Sequence, residues 1–98
     1  METWDIKRVV TPICDRYHVR TLDLFGSRAM AAARSDSDFD FCASFDELPP
    51  PEYARCFFGV LHGLEDALGR PVDLITWQSI RKPGLRSAIQ KHSVRLYG

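Results

Sequence analysis

Leu24-Phe25-Gly26-Ser27-Arg28-Ala29, followed by residues 30–37 and then Asp38-Phe39-Asp40, is the stretch that decides the fold of this 98-residue chain. Residues 18–25 predict a strand that ends at Gly26, and the alanine-rich residues 27–33 predict a short helix directly after it. The composition of residues 34–37 is typical of a turn. Residues 38–45 alternate strictly between polar and apolar side chains, which predicts a second strand.

The two aspartates that open the second strand are candidate metal ligands. Asp38 and Asp40 stand two residues apart, so their side chains project from the same face, with Cα atoms about 6.6 Å apart at roughly 3.3 Å per residue. Hard cations such as Mg²⁺ prefer a few carboxylates together with phosphate oxygens and water. Asp73, on a later predicted strand, supplies a third carboxylate if the register brings it to the same face. Three such carboxylates suit a two-metal site for an in-line displacement.

Gly26 and the residues after it predict a phosphate site. Glycine lets the backbone approach a ligand closely, and a helix that begins at Ser27 directs free N–H groups and a positive dipole end outward. The Ser27 hydroxyl adds a donor, and Arg28 can add positive charge. A phosphate site followed by a carboxylate pair predicts that the chain handles a nucleoside triphosphate together with a metal.

The rest of the chain predicts a small domain of mixed helix and strand. Gly69 and Pro71 end one of its helices, and Gly59 and Gly63 inside that helix are expected to permit close packing against the sheet. We expect the α/β (α+β) class and a single domain over residues 1–98. The remaining predicted elements are helices at 4–17, 52–68 and 83–92, a third strand at 72–77 and a short extended end at 94–97.

The composition excludes several classes of protein. The chain has 13 basic and 13 acidic side chains, and 45% of its residues are hydrophobic. A zero net charge argues against general nucleic-acid binding, and the apolar fraction argues against disorder. No apolar run reaches the roughly 20 residues that span a membrane, and the first residues do not resemble a signal peptide.

The three cysteines are interpreted as buried hydrophobes in a reducing compartment, so we expect a cytoplasmic protein.

The charges are unevenly distributed along the chain. Residues 1–73 hold 8 basic and 13 acidic side chains, whereas residues 74–98 hold five basic side chains and no acidic one. The basic end is interpreted as complementing a helix dipole, or else as lining a nucleotide or docking a partner.

The Gly-Ser pair, the ten residues 28–37 and the Asp-x-Asp that follows resemble the signature of the DNA polymerase beta-like nucleotidyltransferase superfamily. The resemblance is strongest to the minimal nucleotidyltransferases, small proteins that often act as antitoxins beside HEPN-domain toxins. Residues 71–75, with Asp73, resemble the strand that carries the third carboxylate in this family, and residues 85–97 resemble the usual ending of the group. The implied fold is a small mixed sheet flanked by helices.

The resemblance implies a role for each of the candidate residues. Asp38, Asp40 and Asp73 would bind the metal, with two Mg²⁺ ions expected and Mn²⁺ as an alternative, and Asp73 would also activate the attacking hydroxyl. The triphosphate would lie against Gly26, Ser27 and Arg28. The implied reaction transfers AMP from ATP to a hydroxyl, often a tyrosine of the HEPN-domain partner, and releases pyrophosphate.

Two residues depart from the pattern of the family. Met30 and Ala31 stand where members commonly carry a basic residue and a glycine. This departure keeps an alternative open, in which the chain is a non-catalytic antitoxin or a nucleotide-binding module that neutralises its partner by direct binding. A nucleotide sensor is a third interpretation, and self-association is left open.

Other polar residues have simpler interpretations. Asp36 is expected to cap the turn, Asp23 to occupy an exposed strand position or a salt bridge, and Cys42 to be passive although it shares the face of the aspartates. The segments 55–62 and 86–92 fit a loose Arg-x(4–6)-His pattern like that of HEPN ribonucleases, which we interpret as chance.

Overall fold

The computed structural model describes residues 3–26, 28–29 and 38–98. Its elements are α1 (Thr3–Arg16), β1 (Val19–Phe25), β2 (Phe39–Phe45), α2 (Pro50–Leu68), β3 (Val72–Thr76), a 3₁₀ turn (Trp77–Ser79), α3 (Pro83–Lys91) and β4 (Val94–Tyr97). Of the helix predicted at 27–33, only Arg28 and Ala29 are described. They form a turn in which the Ala29 N–H donates to the Gly26 carbonyl at 3.2 Å. The rest of that helix and the predicted turn at 34–37 lie outside the described residues.

The four strands form a mixed sheet in the order β3-β2-β1-β4. β1 pairs antiparallel with both β2 and β4, whereas β2 pairs parallel with β3. The predicted fold class, a small mixed sheet flanked by helices, is confirmed. No helix in the described part of the chain combines the length and the apolar character needed to cross a membrane.

The main core lies between one face of the sheet and the helices α1 and α2. The strict alternation of β2 buries its apolar side chains on that face and turns Asp40 to the other. The buried side chains of this core are Ile6, Val10 and Cys14 of α1, Cys56, Val60 and Leu64 of α2, and Val19, Leu22, Leu24, Phe39, Phe41, Ala43, Phe45, Val72 and Leu96 of the sheet.

α2 differs from its predicted form at its start and in its glycines. It begins at Pro50, two residues early, because proline is tolerated in the first turn of a helix. It ends at Gly69 as predicted, in a left-handed conformation with φ 66°. The expectation that Gly59 and Gly63 pack against the sheet is wrong. A Cβ at Gly59 would overlap the ring of Tyr17, and the Cβ of Gly63 would lie 3.3 Å from Ile13 Cγ2, because this side of α2 faces α1.

β4 closes the sheet beside β1. The short extended end predicted at 94–97 is a strand whose register pairs Arg95 with Asp23 and Tyr97 with Leu22. The Tyr97 hydroxyl donates to the Asp15 carboxylate of α1, and this hydrogen bond is the main cause that raises the pKa of Tyr97 to about 12. The last strand is therefore tied both to the sheet and to the first helix.

Candidate active site

The three predicted carboxylates lie at one end of the sheet, where β2 and β3 begin and β1 ends. This end of the sheet is called the carboxylate edge below. The parallel register of β2 and β3 places Asp73 directly beside Asp40, and Asp38 immediately precedes β2. Phe39 and Phe41 are buried in the core, which turns Asp40 to the opposite face of the strand. Asp38 and Asp73 are exposed, and Asp40 is half-buried.

The carboxylates at this edge interact electrostatically. Burial raises the pKa of Asp40, and a hydrogen bond with the Asp73 carboxyl and the negative charges of Asp73 and Asp38 raise it further. Like charges that face each other on neighbouring strands are unfavourable unless a proton or a cation is shared between them. Added positive charge would therefore stabilise the ionised carboxylates of Asp38, Asp40 and Asp73.

Gly26 lies against this edge at the end of β1. The register pairs Phe25 with Asp40, and Gly26 has a φ of 75° in the left-handed region. A Cβ at this position would overlap the Oδ2 atom of Asp40. Glycine is required here both for its backbone conformation and for the close approach of the turn to the carboxylate. Gly26, a predicted phosphate-binding residue, thus lies next to Asp40, a predicted metal ligand.

The other predicted phosphate residues are less fully described. Ser27 lies outside the described residues, as do Met30, Ala31 and Asp36. The guanidinium of Arg28 lies over the ring of Phe39 at 3.9 Å from the centroid, a cation–π contact with a residue of the core face. Gly26, Asp38, Asp40 and Asp73 are therefore the predicted site residues that the structure places together.

The oxygen donors of this edge fit a hard divalent cation. Within residues 3–26, 28–29 and 38–98, no group of three or more His, Cys, Asp or Glu side chains is arranged as a metal-binding cluster. Asp40 and Asp73 nevertheless lie within hydrogen-bonding reach of each other, and the charge of Asp38 acts on the same carboxyl. Carboxylates supplemented by phosphate oxygens and water are the ligands that Mg²⁺ prefers.

An ion pair between buried Asp23 and half-exposed Arg95 lies on the same face of the sheet as Asp40. The side chain of Asp23 is only 4% exposed, and its Oδ1 accepts a hydrogen bond from Arg95 Nε at 2.6 Å. Its Oδ2 is buried and has no hydrogen-bond partner among the described residues. The interpretation of Asp23 as an exposed strand position is wrong, and the salt-bridge alternative is correct. The four residues of β4 are too few to show a period, so no local pattern in the sequence identifies Arg95 as the partner of Asp23.

Cys42 lies opposite Asp23 in the register of β1 and β2 and is fully buried. Burial and the charge of Asp23 raise the pKa of its thiol to about 12, against the opposing charge of Arg86. The thiol therefore stays protonated at neutral pH. Cys14, Cys42 and Cys56 are all free and buried, as predicted.

Comparison with known proteins relates this geometry to a family. The family model described as polymerase beta, nucleotidyltransferase, matches residues 9–98. The protein adenylyltransferase MntA of Thermococcus cleftensis is 35% identical over 81 residues, which is 83% of this chain and 74% of that protein.

Two solved structures share the fold. The crystal structure of a toxin–antitoxin with AMP-PNP has a TM-score of 0.73 at 20% identity, covering 94% of this chain and 73% of that chain. The structure of a tri-AMPylated Shewanella oneidensis HEPN toxin in complex with MNT antitoxin has a TM-score of 0.68 at 18% identity, covering 99% of this chain and 73% of that chain.

The fold and the matching family model define the chain as a nucleotidyltransferase, an enzyme that transfers a nucleotidyl group. It belongs to the polymerase beta nucleotidyltransferase family. The resemblance carried by the Gly-Ser and Asp-x-Asp motifs is thereby confirmed.

Proposed function

We propose that this chain is a Mg²⁺-dependent protein adenylyltransferase that transfers AMP from ATP to a hydroxyl of a partner, a HEPN-domain toxin for which it is the antitoxin. The observation that carries the proposal is the register that sets Asp73 beside Asp40, with Gly26 in contact with the same carboxylate. The relative named protein adenylyltransferase and the structure with AMP-PNP support ATP as the donor. The complex of a HEPN toxin with an MNT antitoxin of the same fold supports a HEPN-domain toxin as the partner. A cytoplasmic location is part of the proposal.

The residues of the edge have distinct roles in this reaction. The oxygen of the acceptor hydroxyl attacks the α-phosphorus of ATP, the bond from that phosphorus to the bridging oxygen breaks, and pyrophosphate leaves. The proton of the hydroxyl passes to the Asp73 carboxylate, which is exposed at the outermost strand of the sheet, where a partner has access. Gly26 lets the backbone after β1 approach Asp40 closely, because any Cβ at this position would overlap Oδ2 of that carboxylate, and the phosphates would lie beside this turn.

Asp38, Asp40 and Asp73 would hold the metal. When bound, divalent cations supply the positive charge that stabilises the attacking and leaving oxygens of an in-line displacement. The pKa of Asp40 is raised by burial and by its neighbours, so nearby positive charge would favour the ionised form of this carboxyl. Ser27 and Arg28 complete the proposed phosphate contacts.

The test is transfer of label from α-³²P-ATP to the proposed HEPN-domain partner, in the presence of Mg²⁺. The Asp38→Asn/Asp40→Asn double variant is expected to lose transfer by at least about 100-fold, since it removes two of three ligands. The matched control is Glu47→Gln/Asp66→Asn, which removes the same charge at two exposed positions away from the edge. If the wild-type protein labels no partner hydroxyl, the proposed function is wrong.

A second candidate function is neutralisation by binding alone. Met30 and Ala31 favour it, because the sequence after Gly26 lacks the basic residue and the glycine that the family pattern implies. In that case the double aspartate variant, when it still folds and binds the toxin, neutralises it as well as the wild-type protein does. Loss of neutralisation with binding retained instead requires the chemistry.

A further inference from the structure

The strand β3, which carries Asp73, has one open side. In the part of the chain that the structure describes, β3 is the outermost strand of the sheet and pairs only with β2. The Val72 N–H donates to the Glu65 carboxylate of α2 at 3.3 Å, and the Thr76 carbonyl accepts from the Ser79 hydroxyl at 2.8 Å. These partners lie outside the sheet, so Val72 and Thr76 direct backbone groups away from β2.

Leu74 lies between these two residues and directs its backbone to the same side. Successive residues of a strand turn their N–H and C=O groups alternately to the two sides of the strand, so residues 72, 74 and 76 share one direction. The open side of β3 therefore presents the N–H and C=O of Leu74, and the two ends of the strand are capped by Glu65 and Ser79. A strand side of this kind is a template for the addition of another strand.

An apolar groove of about 340 Å³ borders the open side, between α2 and β3. Three successive residues of β3, from Leu74 to Thr76, form one wall, and the other wall includes Ala54, Phe57 and Phe58 of α2. Phe58 is 53% exposed. Exposed aromatic side chains around a concave apolar surface are typical of sites that bind another protein.

The alternation of β3 relates this groove to Asp73. The register pairs Asp73 with Asp40 and Leu74 with Phe41, so Asp73 points to the face of the carboxylates and Leu74 to the face of α2. A segment added beside β3 follows the same alternation, and side chains directly opposite each other lie about 4.5–5.5 Å apart. Its residue opposite Asp73 therefore points to the side of that carboxylate, while the adjacent residue, opposite Leu74, points to the groove.

We infer that the acceptor protein adds an extended segment to the open side of β3, with its hydroxyl-bearing residue opposite Asp73 and an adjacent apolar residue in the groove beside Leu74. Main-chain hydrogen bonds to Leu74 supply affinity, and the groove selects the residue next to the hydroxyl. The inference rests on the proposed function, in which Asp73 takes the proton of that hydroxyl. It adds a preference for acceptor segments in which an aliphatic or aromatic residue adjoins the hydroxyl-bearing one.

The test measures label transfer from α-³²P-ATP to the proposed HEPN-domain partner as the partner concentration is varied. Ala54→Glu places a charge in the groove from an exposed position of α2, and Ala67→Glu makes the same change at an exposed position of α2 outside the groove. We expect Ala54→Glu to raise the KM for the partner at least about tenfold, with kcat and the affinity for ATP within about twofold. Ala67→Glu should change none of these quantities.

Hydrogen exchange of the wild-type chain, followed by NMR, tests strand addition without any substitution. Saturating partner is expected to slow exchange of the Leu74 amide at least about tenfold, because its N–H then donates to the added segment.

Three outcomes overturn the inference. An unchanged KM in Ala54→Glu means that the acceptor docks elsewhere, and a raised KM without protection of the Leu74 amide means that the groove is used without strand addition. Protection of that amide in the chain alone, with a dimeric mass by light scattering that Ala54→Glu abolishes, assigns the open side to a second copy. A partner that protects Leu74 but receives no label instead rejects the proposed function and supports the docking site, which distinguishes the two failures. Circular dichroism melting curves verify that each variant is folded.

Discussion

Asp40 is the residue where the folding and the proposed chemistry of this chain conflict. Its pKa is raised above the ordinary value of 3.8 by burial and by Asp73 and Asp38, so ionisation of Asp40 costs more in the folded chain than in the unfolded one. The penalty is absent well below pH 3.8, grows as the pH rises from 3.8 towards the raised pKa, and is complete above that pKa. In the absence of a cation, Asp40 therefore destabilises the fold at pH 7.

Asp40→Asn is accordingly expected to raise the melting temperature at pH 7 in EDTA. Because these carboxylates are partly exposed and screened by water, we expect a gain of about 2–4 °C, or roughly half a kcal/mol. The gain should vanish at pH 3, where Asp40 is protonated in both states. Asp66→Asn, on the exposed side of α2, is the control and should shift the melting temperature by less than about 1 °C. An equal gain at pH 3 and pH 7 would contradict the electrostatic cause.

Arg95 is the partner that makes the buried charge of Asp23 tolerable. Arg95→Met removes the 2.6 Å hydrogen bond and leaves a carboxylate with 4% exposure unpaired, so we expect a loss of about 2 kcal/mol in the free energy of unfolding by urea. Arg20→Met is the matched control. Its ion pair with Asp46 at 3.7 Å is exposed on both sides, and such pairs contribute about 0–1 kcal/mol. Equal losses in the two variants would mean that burial of Asp23 is not the cause.

At the scale of elements, α1 and α2 pack closely because α2 has a glycine at the contact. Gly59→Ala would place a Cβ in the ring of Tyr17, and we expect it to lower the free energy of unfolding by about 1–3 kcal/mol despite the better helix propensity of alanine. Gly84→Ala is the matched control, since a Cβ there meets nothing within 4 Å, and it should stabilise the chain by about 0.5–1 kcal/mol. A double-mutant cycle with Tyr17→Ala should remove the penalty at Gly59; an unchanged penalty would exclude this contact.

The elements that the sequence predicts well are those with long local patterns. The strict alternation of β2 and the helical spacing of apolar residues in α2 identify both elements, because the side chains on the buried face repeat with the period of the backbone. The apolar residues of α2 with this spacing are Tyr53, Phe57, Leu61, Leu64 and Leu68. The partners of each element are less predictable. The face of α2 that carries Gly59 meets α1 rather than the sheet, and a pattern along one helix does not specify which neighbour lies beside it.

The residues of the candidate site likewise differ in how far the sequence predicts their positions. Asp38 and Asp40 could be assigned to one face from their spacing, whereas the position of Asp73 depends on a strand register between distant segments. The pairing of Asp23 with Arg95 across 72 residues is of the same kind. β4 has four residues, too few to show a period, so neither its pairing with β1 nor the burial of Asp23 could be predicted from local pattern.

At the scale of the whole molecule, the last strand completes the fold around β1. β1 would become an edge strand without β4, Asp23 would lose Arg95, and the core would lose Leu96, which is 1% exposed. Loss of a buried leucine costs about 2–5 kcal/mol, and an unpaired buried carboxylate costs about 1–3 kcal/mol more. These losses are comparable with the whole stability of a small domain, about 5–15 kcal/mol.

A chain truncated after Ser93 is therefore expected to lose cooperative unfolding, with urea melts followed by near-ultraviolet circular dichroism. The control is a chain that lacks only Gly98, which keeps every residue of β4 and should unfold as the full chain does. The truncated chain should also fail to bind ATP or tripolyphosphate, because Phe25 and Gly26 at the end of β1 depend on the sheet for their position. A truncated chain that unfolds cooperatively and binds both ligands would mean that β2 alone orders β1, and that the C-terminal strand is dispensable for the site.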